Sequence, residues 1–251
     1  MPRFFIENID KQPGDSITVT GQDAVHISKS LRMKPGECLT VCGGLGYDLF
    51  CEITGVYDGT VELLVKEKVV TESEPSIKIT LYQGLPKGDK MEFIIEKTIE
   101  LGVCEIVPVL MHRSVSRPDA KSAAKKRERY QKQAVSAAKQ CGRGIIPTVG
   151  AMTTFPEMLD DIRKHQAVIF FYECGGEPLS SVTEKFKSEK LNDIAIVIGP
   201  EGGFDPSEAD ALMNASGANV YTATLGKRIL RTETAPIAAI AAIMFATGNM
   251  D

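Results

Sequence analysis

Two glycine-bearing loops, each set between a short apolar run and a helix start, restrict the fold of this 251-residue chain more than any other feature. The first runs Gly199-Pro-Glu-Gly-Gly-Phe204 and follows Ile194-Ala-Ile-Val-Ile198, a continuous β-branched run of the kind found in strands covered on both faces. Gly202 and Gly203 add no bulk, so their backbone can approach a ligand closely. Asp205-Pro-Ser-Glu208 then opens a helix: Asp205 suits the N-cap, Pro206 the first helical position, and Glu208 completes a capping box. The second loop follows Val220-Tyr221 and passes through Leu225-Gly226 into a helix that Thr232 or Thr234 caps, with Pro236 in its first turn. Either loop alone reads as an ordinary tight turn. Two in one unit point to a ligand site at the carboxyl ends of parallel strands, where open α/β sheets bind, without naming the ligand.

The chain upstream supplies the rest of such a sheet. Ile77–Leu81, Ile106–Leu110 and Ala167–Tyr172 read as strands. Met91, Ile94, Ile95, Thr98 and Ile99 fall at helical spacing, and Gly102 suits the helix end. Tyr130, Ala134, Ala137 and Cys141 mark the buried stripe of a basic helix, and another helix is expected around Val182–Phe186. Strands alternating with helices imply an α/β class with a mainly parallel sheet. Before this, Phe4–Ile6, Ser16–Thr20, Leu39–Cys42, Leu49–Ile53 and Val61–Val65 alternate with period two between glycine turns; only Asp23–Leu31 looks helical. The polar stretch Thr71–Ser76 is the linker candidate, giving a β-rich domain over 1–72 and an α/β domain over 73–251.

Composition excludes several classes. Hydrophobic content of 43% and charged content of 25% are ordinary for a globular protein, and no signal peptide is expected from Met1-Pro-Arg-Phe-Phe. The apolar run Ala235–Ala246 falls short of the roughly 18 residues of a membrane span. The expectation is a soluble cytoplasmic protein with no membrane partner. Six cysteines without a C-x-x-C pair and three dispersed histidines, His26, His112 and His165, offer no metal cluster; buried free thiols and no metal are expected. The net charge of −4 hides a basic segment, Arg113–Arg143, where ten Lys and Arg against Asp119 and Glu128 leave +8. RNA contact and a solvated helix face both explain it.

The strings Gly199-Pro-Glu-Gly-Gly203 and Leu225-Gly-Lys-Arg-Ile-Leu-Arg-Thr-Glu-Thr234 resemble the RsmE family, bacterial uridine-N3 methyltransferases of small-subunit ribosomal RNA within the SPOUT superfamily. Lys87-Gly-Asp-Lys-Met-Glu-Phe93, Lys97, Glu100–Val103, Gln140–Arg143, Arg3-Phe4-Phe5 and His26–Met33 extend the resemblance to nearly full length. Lys139 departs from it, standing where relatives often carry an acidic residue. The resemblance implies a PUA-like RNA-binding barrel over 1–72 and a SPOUT domain whose deep trefoil knot holds S-adenosyl-L-methionine. Its implied partners are 16S ribosomal RNA or the small subunit and a second copy of the chain. A helix apolar nearly all round, such as the one through Ala238, Ala239, Ala241 and Ala242, must be buried.

The residues implied for the cofactor are Ile198, Gly199, Pro200, Glu201, Gly202, Gly203, Leu225, Gly226, Ile229, Leu230 and Thr232, with Tyr172 at the end of its strand and Glu173 from the Glu173–Pro178 loop. Phe204, Leu225, Ile229 and Leu230 are placed to sandwich an adenine. Arg3, Arg32, Lys87, Lys125, Lys126, Arg127, Arg129 and Arg143 are the implied RNA contacts. A uracil N3 is protonated at neutral pH, so charge develops on the ring oxygens as it reacts. The fork of Arg231 suits that charge, and Glu233 is a base, an orienter of Arg231, or half of a structural ion pair. Two other classes stay open: a non-catalytic RNA-binding protein of the same fold, and a nucleotide- or phosphate-binding enzyme, although G-x-x-x-x-G-K-[ST] and G-x-G-x-x-G are both absent.

Overall fold

A computed structural model describes residues 1–6 and 9–250, and the chain clusters into two compact units. The first comprises Met1–Glu74 with Gly142–Ile146. Its strands β1 (Arg3–Phe5), β2 (Ser16–Thr20), β3 (Cys38–Cys42), β4 (Tyr47–Tyr57) and β5 (Thr60–Val70) form one sheet in the order β1-β3-β4-β5-β2. The β1–β3 pair is parallel and the others antiparallel. The period-two alternation buries Ile17, Val19, Leu49, Ile53, Val61 and Leu63 on one face. The expected helix over 23–31 is a short α1 (Gly21–Val25) running into a π-helical turn, His26–Ser30. Glu74, expected in a linker, accepts from the backbone of Gly144 at 2.7 Å and Ile145 at 3.0 Å, which ties 142–146 into this unit.

The second unit, Pro75–Cys141 with Pro147–Asp251, holds the parallel sheet. Its strands are β6 (Lys78–Gly84), β7 (Glu105–Leu110), β8 (Thr148–Val149), β9 (Thr153–Thr154), β10 (Ala167–Phe171), β11 (Glu177–Pro178), β12 (Asp193–Ile198) and β13 (Val220–Thr224). The order is β11-β13-β10-β12-β6-β7-β8, with β9 also on β7, and every pair is parallel. The β-branched run of β12 is explained by its position. Ile194, Ile196 and Ile198 enter the cluster shared with α2 (Lys90–Glu100), α3 (Ala120–Cys141), α5 (Leu179–Glu189) and α7 (Thr234–Ala246). Ala195 and Val197 enter the opposite cluster, shared with α4 (Phe155–Asp161) and α6 (Pro206–Met213).

Helix α3 buries Tyr130, Ala134 and Ala137 as the stripe requires, together with Ala138. Helix α7 is covered on one side only within the chain. Ala239, Ile240, Ile243 and Met244 are buried, but Phe245 is 70% exposed and Ala242 is also exposed. A helix laid on one face of a sheet can bury only the side it presents to it. The sequence reading also missed β8, β9, β11 and α4, whose strands are two residues long and carry no measurable period.

Candidate functional site

Because the sheet is parallel, the loops that follow β6, β7, β10, β12 and β13 emerge from one edge, with β12 between β6 and β10. The loop after β12 closes on itself through the Gly203 amide, which donates to the Pro200 carbonyl at 3.0 Å. Ile198, Gly199 and Pro200 are buried at its base, whereas Glu201 and Gly202 reach the surface. Phe204, expected against an adenine, is instead a core side chain, 2% exposed and edge-on to Phe170 at 4.6 Å. The loop turns its ring inward, where apolar burial is most favourable. Helix α6 begins as the sequence indicates: the Asp205 carboxylate accepts from the Ser207 amide, and Glu208 completes the capping box. The other oxygen of Glu208 accepts from the His112 amide at 2.7 Å, and Arg113 donates to the Gly202 carbonyl at 3.0 Å. The helix start is thereby fastened to the loop after β7.

The second loop is joined to the first by Thr232. Its hydroxyl, 6% exposed, donates to the Gly199 carbonyl at 2.7 Å and accepts from Gln83 Nε2 at 3.0 Å. Neither Thr232 nor Thr234 caps α7: Glu233 holds the N-cap position and Thr234 is the first helical residue. Gln83, fully buried at the end of β6, was missed by sequence reasoning, and its Oε1 has no hydrogen-bond partner among the described residues. A glutamine inside the apolar run of β6 is the signal that could have found it. Lys90 was missed as well. From the first position of α2 its ammonium reaches Glu201 Oε1 and Glu233 Oε2, each at 3.1 Å, so one cation bridges both loops.

The electrostatics follow from that bridge. Burial alone would raise the Glu201 and Glu233 carboxyls, but backbone hydrogen bonds and Lys90 outweigh it and hold both below the ordinary glutamate range. Lys90 is raised, first by the Glu201 carboxylate and then by that of Glu233, the two anions it pairs with. Arg231, two residues before Glu233, is exposed and its guanidinium makes no hydrogen bond or ion pair among the described residues. Around it Leu225 and Leu230 are half-buried, Gly226 is exposed, and Ile229 is 87% exposed. Gly226 has φ of +99°, a left-handed conformation that favours glycine, with open space where a side chain would stand. Tyr172 is half-buried and stacks on Phe170 at 5.2 Å; its hydroxyl is raised by a hydrogen bond with Cys174 and by burial. Glu173 beside it is exposed.

The expected RNA contacts divide. Lys87 and Lys125 are exposed, and Lys126 is half-buried. Arg127 donates to the Val149 carbonyl, and Arg129 pairs with Glu92 at 2.6 Å while its side chain stays 53% exposed. In the other unit Arg32 is exposed and Arg3 pairs with Asp48 at 2.8 Å. Arg143 is corrected: it is 3% exposed, with Nε and Nη2 both donating to Glu74, so it is not a surface cation. A fork-shaped guanidinium is the cation best suited to a buried carboxylate pair. Among the described residues, no group of three or more His, Cys, Asp or Glu side chains is arranged to hold a metal ion.

Ile229 and Gly226 thus lie exposed on the second loop, while Gln83 is buried where Thr232 joins the two loops. Comparison with known proteins bears on their role. The RNA methyltransferase domain family matches residues 72–244. Ribosomal RNA small subunit methyltransferase E of Bacillus subtilis is 37% identical over 98% of this chain and 97% of its own length. The protein of that name from Buchnera aphidicola subsp. Acyrthosiphon pisum is 29% identical over 99% of this chain and 95% of its own. The crystal structure of ribosomal RNA small subunit methyltransferase E from Neisseria gonorrhoeae, bound to S-adenosyl methionine, superposes with a TM-score of 0.80 at 31% identity, covering 98% of this chain and 97% of that one.

Proposed function

This chain belongs to the family of ribosomal RNA small subunit methyltransferase E, and from that premise we propose that it methylates N3 of a uridine in 16S ribosomal RNA. The methyl donor in this reading is S-adenosyl-L-methionine. The observation that carries the reading is the junction of the Gly199–Gly203 and Leu225–Thr232 loops through the Thr232 hydroxyl, with the unpaired guanidinium of Arg231 beside it. Bound there, the sulfonium cofactor would supply an electrophilic methyl group. The residues that would hold it are the backbone of Gly199–Gly203 and Gly226, with Leu225, Ile229 and Leu230 against the adenine and the Tyr172–Glu173 turn at the side.

The chain's own groups do the rest. Arg231 keeps its charge at any working pH and offers a planar fork to the uracil oxygens as N3 loses its proton. Glu233 sets the loop rather than taking the proton, because a carboxylate held by Lys90 and kept below its ordinary range is a weak base. Lys87, Lys125, Lys126, Arg127 and Arg129 are assigned to the RNA phosphates, and residues 1–72, as a PUA-like domain with Arg3 and Arg32, to further RNA affinity. The trefoil knot belongs to the same reading, as does a homodimer that covers the outer side of α7. Ribosomal RNA as substrate sets the work in the cytoplasm; among the described residues no helix is long and apolar enough to cross a membrane.

Titration calorimetry with S-adenosylmethionine and with ATP tests the cofactor, and mass spectrometry of 16S RNA incubated with the enzyme tests the product. Binding of ATP in place of S-adenosylmethionine would move the chain to the phosphate-binding class. Cofactor binding with no methylated uridine would leave an RNA-binding protein of the same fold.

A further inference from the structure

We propose that Lys90 is a positioning residue that keeps Arg231 free for substrate by occupying the carboxylate of Glu233. The inference rests on the role assigned to Arg231 above. Lys90 stands where a cation is least at home, at the first position of a helix, whose N-terminal dipole disfavours positive charge. A residue placed against a local rule needs a compensating interaction, and here it is the pair of carboxylates at 3.1 Å, one from each loop. Glu201 also accepts from the Lys87 amide at 3.2 Å, so it is held from two sides; for Glu233, Lys90 is the one side-chain ion-pair partner among the described residues.

The consequence for Arg231 follows from charge and reach. It lies two residues from Glu233, and the fields of Lys90 and Arg231 both act on that carboxylate. A guanidinium beside an unpaired carboxylate forms a charge-assisted pair, the stronger when both hydrogen bonds of the fork are made. Such a pair would compete directly with the uracil oxygens. Lys90 removes that competitor while leaving Thr232, between the two residues, anchored on the Gly199 carbonyl.

The test uses the full chain and three variants. Lys90→Met should lower single-turnover methylation at saturating cofactor and RNA by about 10- to 100-fold, whereas Lys90→Arg, which can still bridge both carboxylates, should stay within a few-fold of the unaltered protein. The double variant Lys90→Met/Glu233→Gln should recover most of the lost rate, which a merely structural clamp would not do, since removing both partners leaves the loops equally unbridged. A second readout needs no turnover: exchange of the Arg231 Nε proton with solvent, followed by NMR, should be fast in the unaltered protein, slow in Lys90→Met and fast again in the double variant. Fast exchange in Lys90→Met, or no recovery of rate in the double variant, overturns the inference. The predicted exchange pattern in a protein that never transfers a methyl group would overturn the proposed function and leave the sequestering of Glu233 standing.

Discussion

The guanidinium of Arg231 is exposed and has no hydrogen bond or ion pair among the described residues, and in the proposed role its effect should be confined to the step in which charge develops. Arg231→Ala should lose on the order of 10²–10³ in single-turnover rate if the comparison with an oxyanion-hole donor transfers, with S-adenosylmethionine affinity unchanged. Arg231→Lys should stay impaired because it loses the fork. Near-normal rates in folded Arg231→Ala would sink the assignment. Arg143 is the opposite case, a buried guanidinium bound to Glu74. Glu74→Ala should destabilise the protein by about 3–5 kcal/mol, since it leaves a buried cation without its carboxylate; denaturant melts that shift by less than about 1 kcal/mol would contradict this. The Lys90 bridge carries a pH signature. Glu201 and Glu233 are depressed in the folded state, so the stability they add is complete above the ordinary glutamate range and is lost as pH falls through their lowered values. Lys90 is raised, so its share is complete below the ordinary lysine value and disappears only as pH rises through its raised one. The melting-temperature gap between the protein and Lys90→Met should therefore stay flat from about pH 6 to 9 and close on strong acidification. A gap that already closes near neutrality is the contrary result.

At the level of elements, the continuous apolar run of β12 anticipated burial on both faces, and the alternation within it is what distributes Ile194, Ile196 and Ile198 to one helix layer and Ala195 and Val197 to the other. The capping box at Asp205 and Glu208 was equally readable, although the second role of Glu208, holding the His112 amide, was not. Local hydrogen bonds leave a sequence signature; bonds to a residue 96 positions away leave none. Helix α3 carries its charges off the buried stripe, and the exposed ones are assigned to RNA phosphates. Lys125→Gln with Lys126→Gln should weaken RNA binding uniformly across sequences and reduce the slope of log affinity against log salt by roughly 1 to 2. An unchanged slope would return the helix to the status of a solvated face.

For the molecule as a whole, α7 is an apolar helix with one side covered and one side open. Its inner face is buried, yet Phe245 is 70% exposed. If a second copy covers that side, Phe245→Arg should convert a dimer to a monomer in light scattering, because an arginine buried without a partner is strongly disfavoured at the centre of an apolar contact. A monomeric unaltered protein would dismiss the homodimer, and a dimeric Phe245→Arg would move the interface elsewhere.

Strand, loop and helix order in the α/β unit, the glycine loops and the buried stripe of α3 are local properties, written in residue type and spacing, and they determine the class of fold. The strings at 199–203 and 225–234 also determine the family, because they cover both loops. What only the tertiary structure decided is pairing across long separations. Thr232 meets Gly199 and Gln83, and Lys90 meets Glu201 and Glu233, because a parallel sheet sets the ends of strands distant in sequence side by side. It also decided direction: Phe204 and Arg143 turned inward, since each has a partner there worth more than water, the Phe170 ring for one and the Glu74 carboxylate for the other.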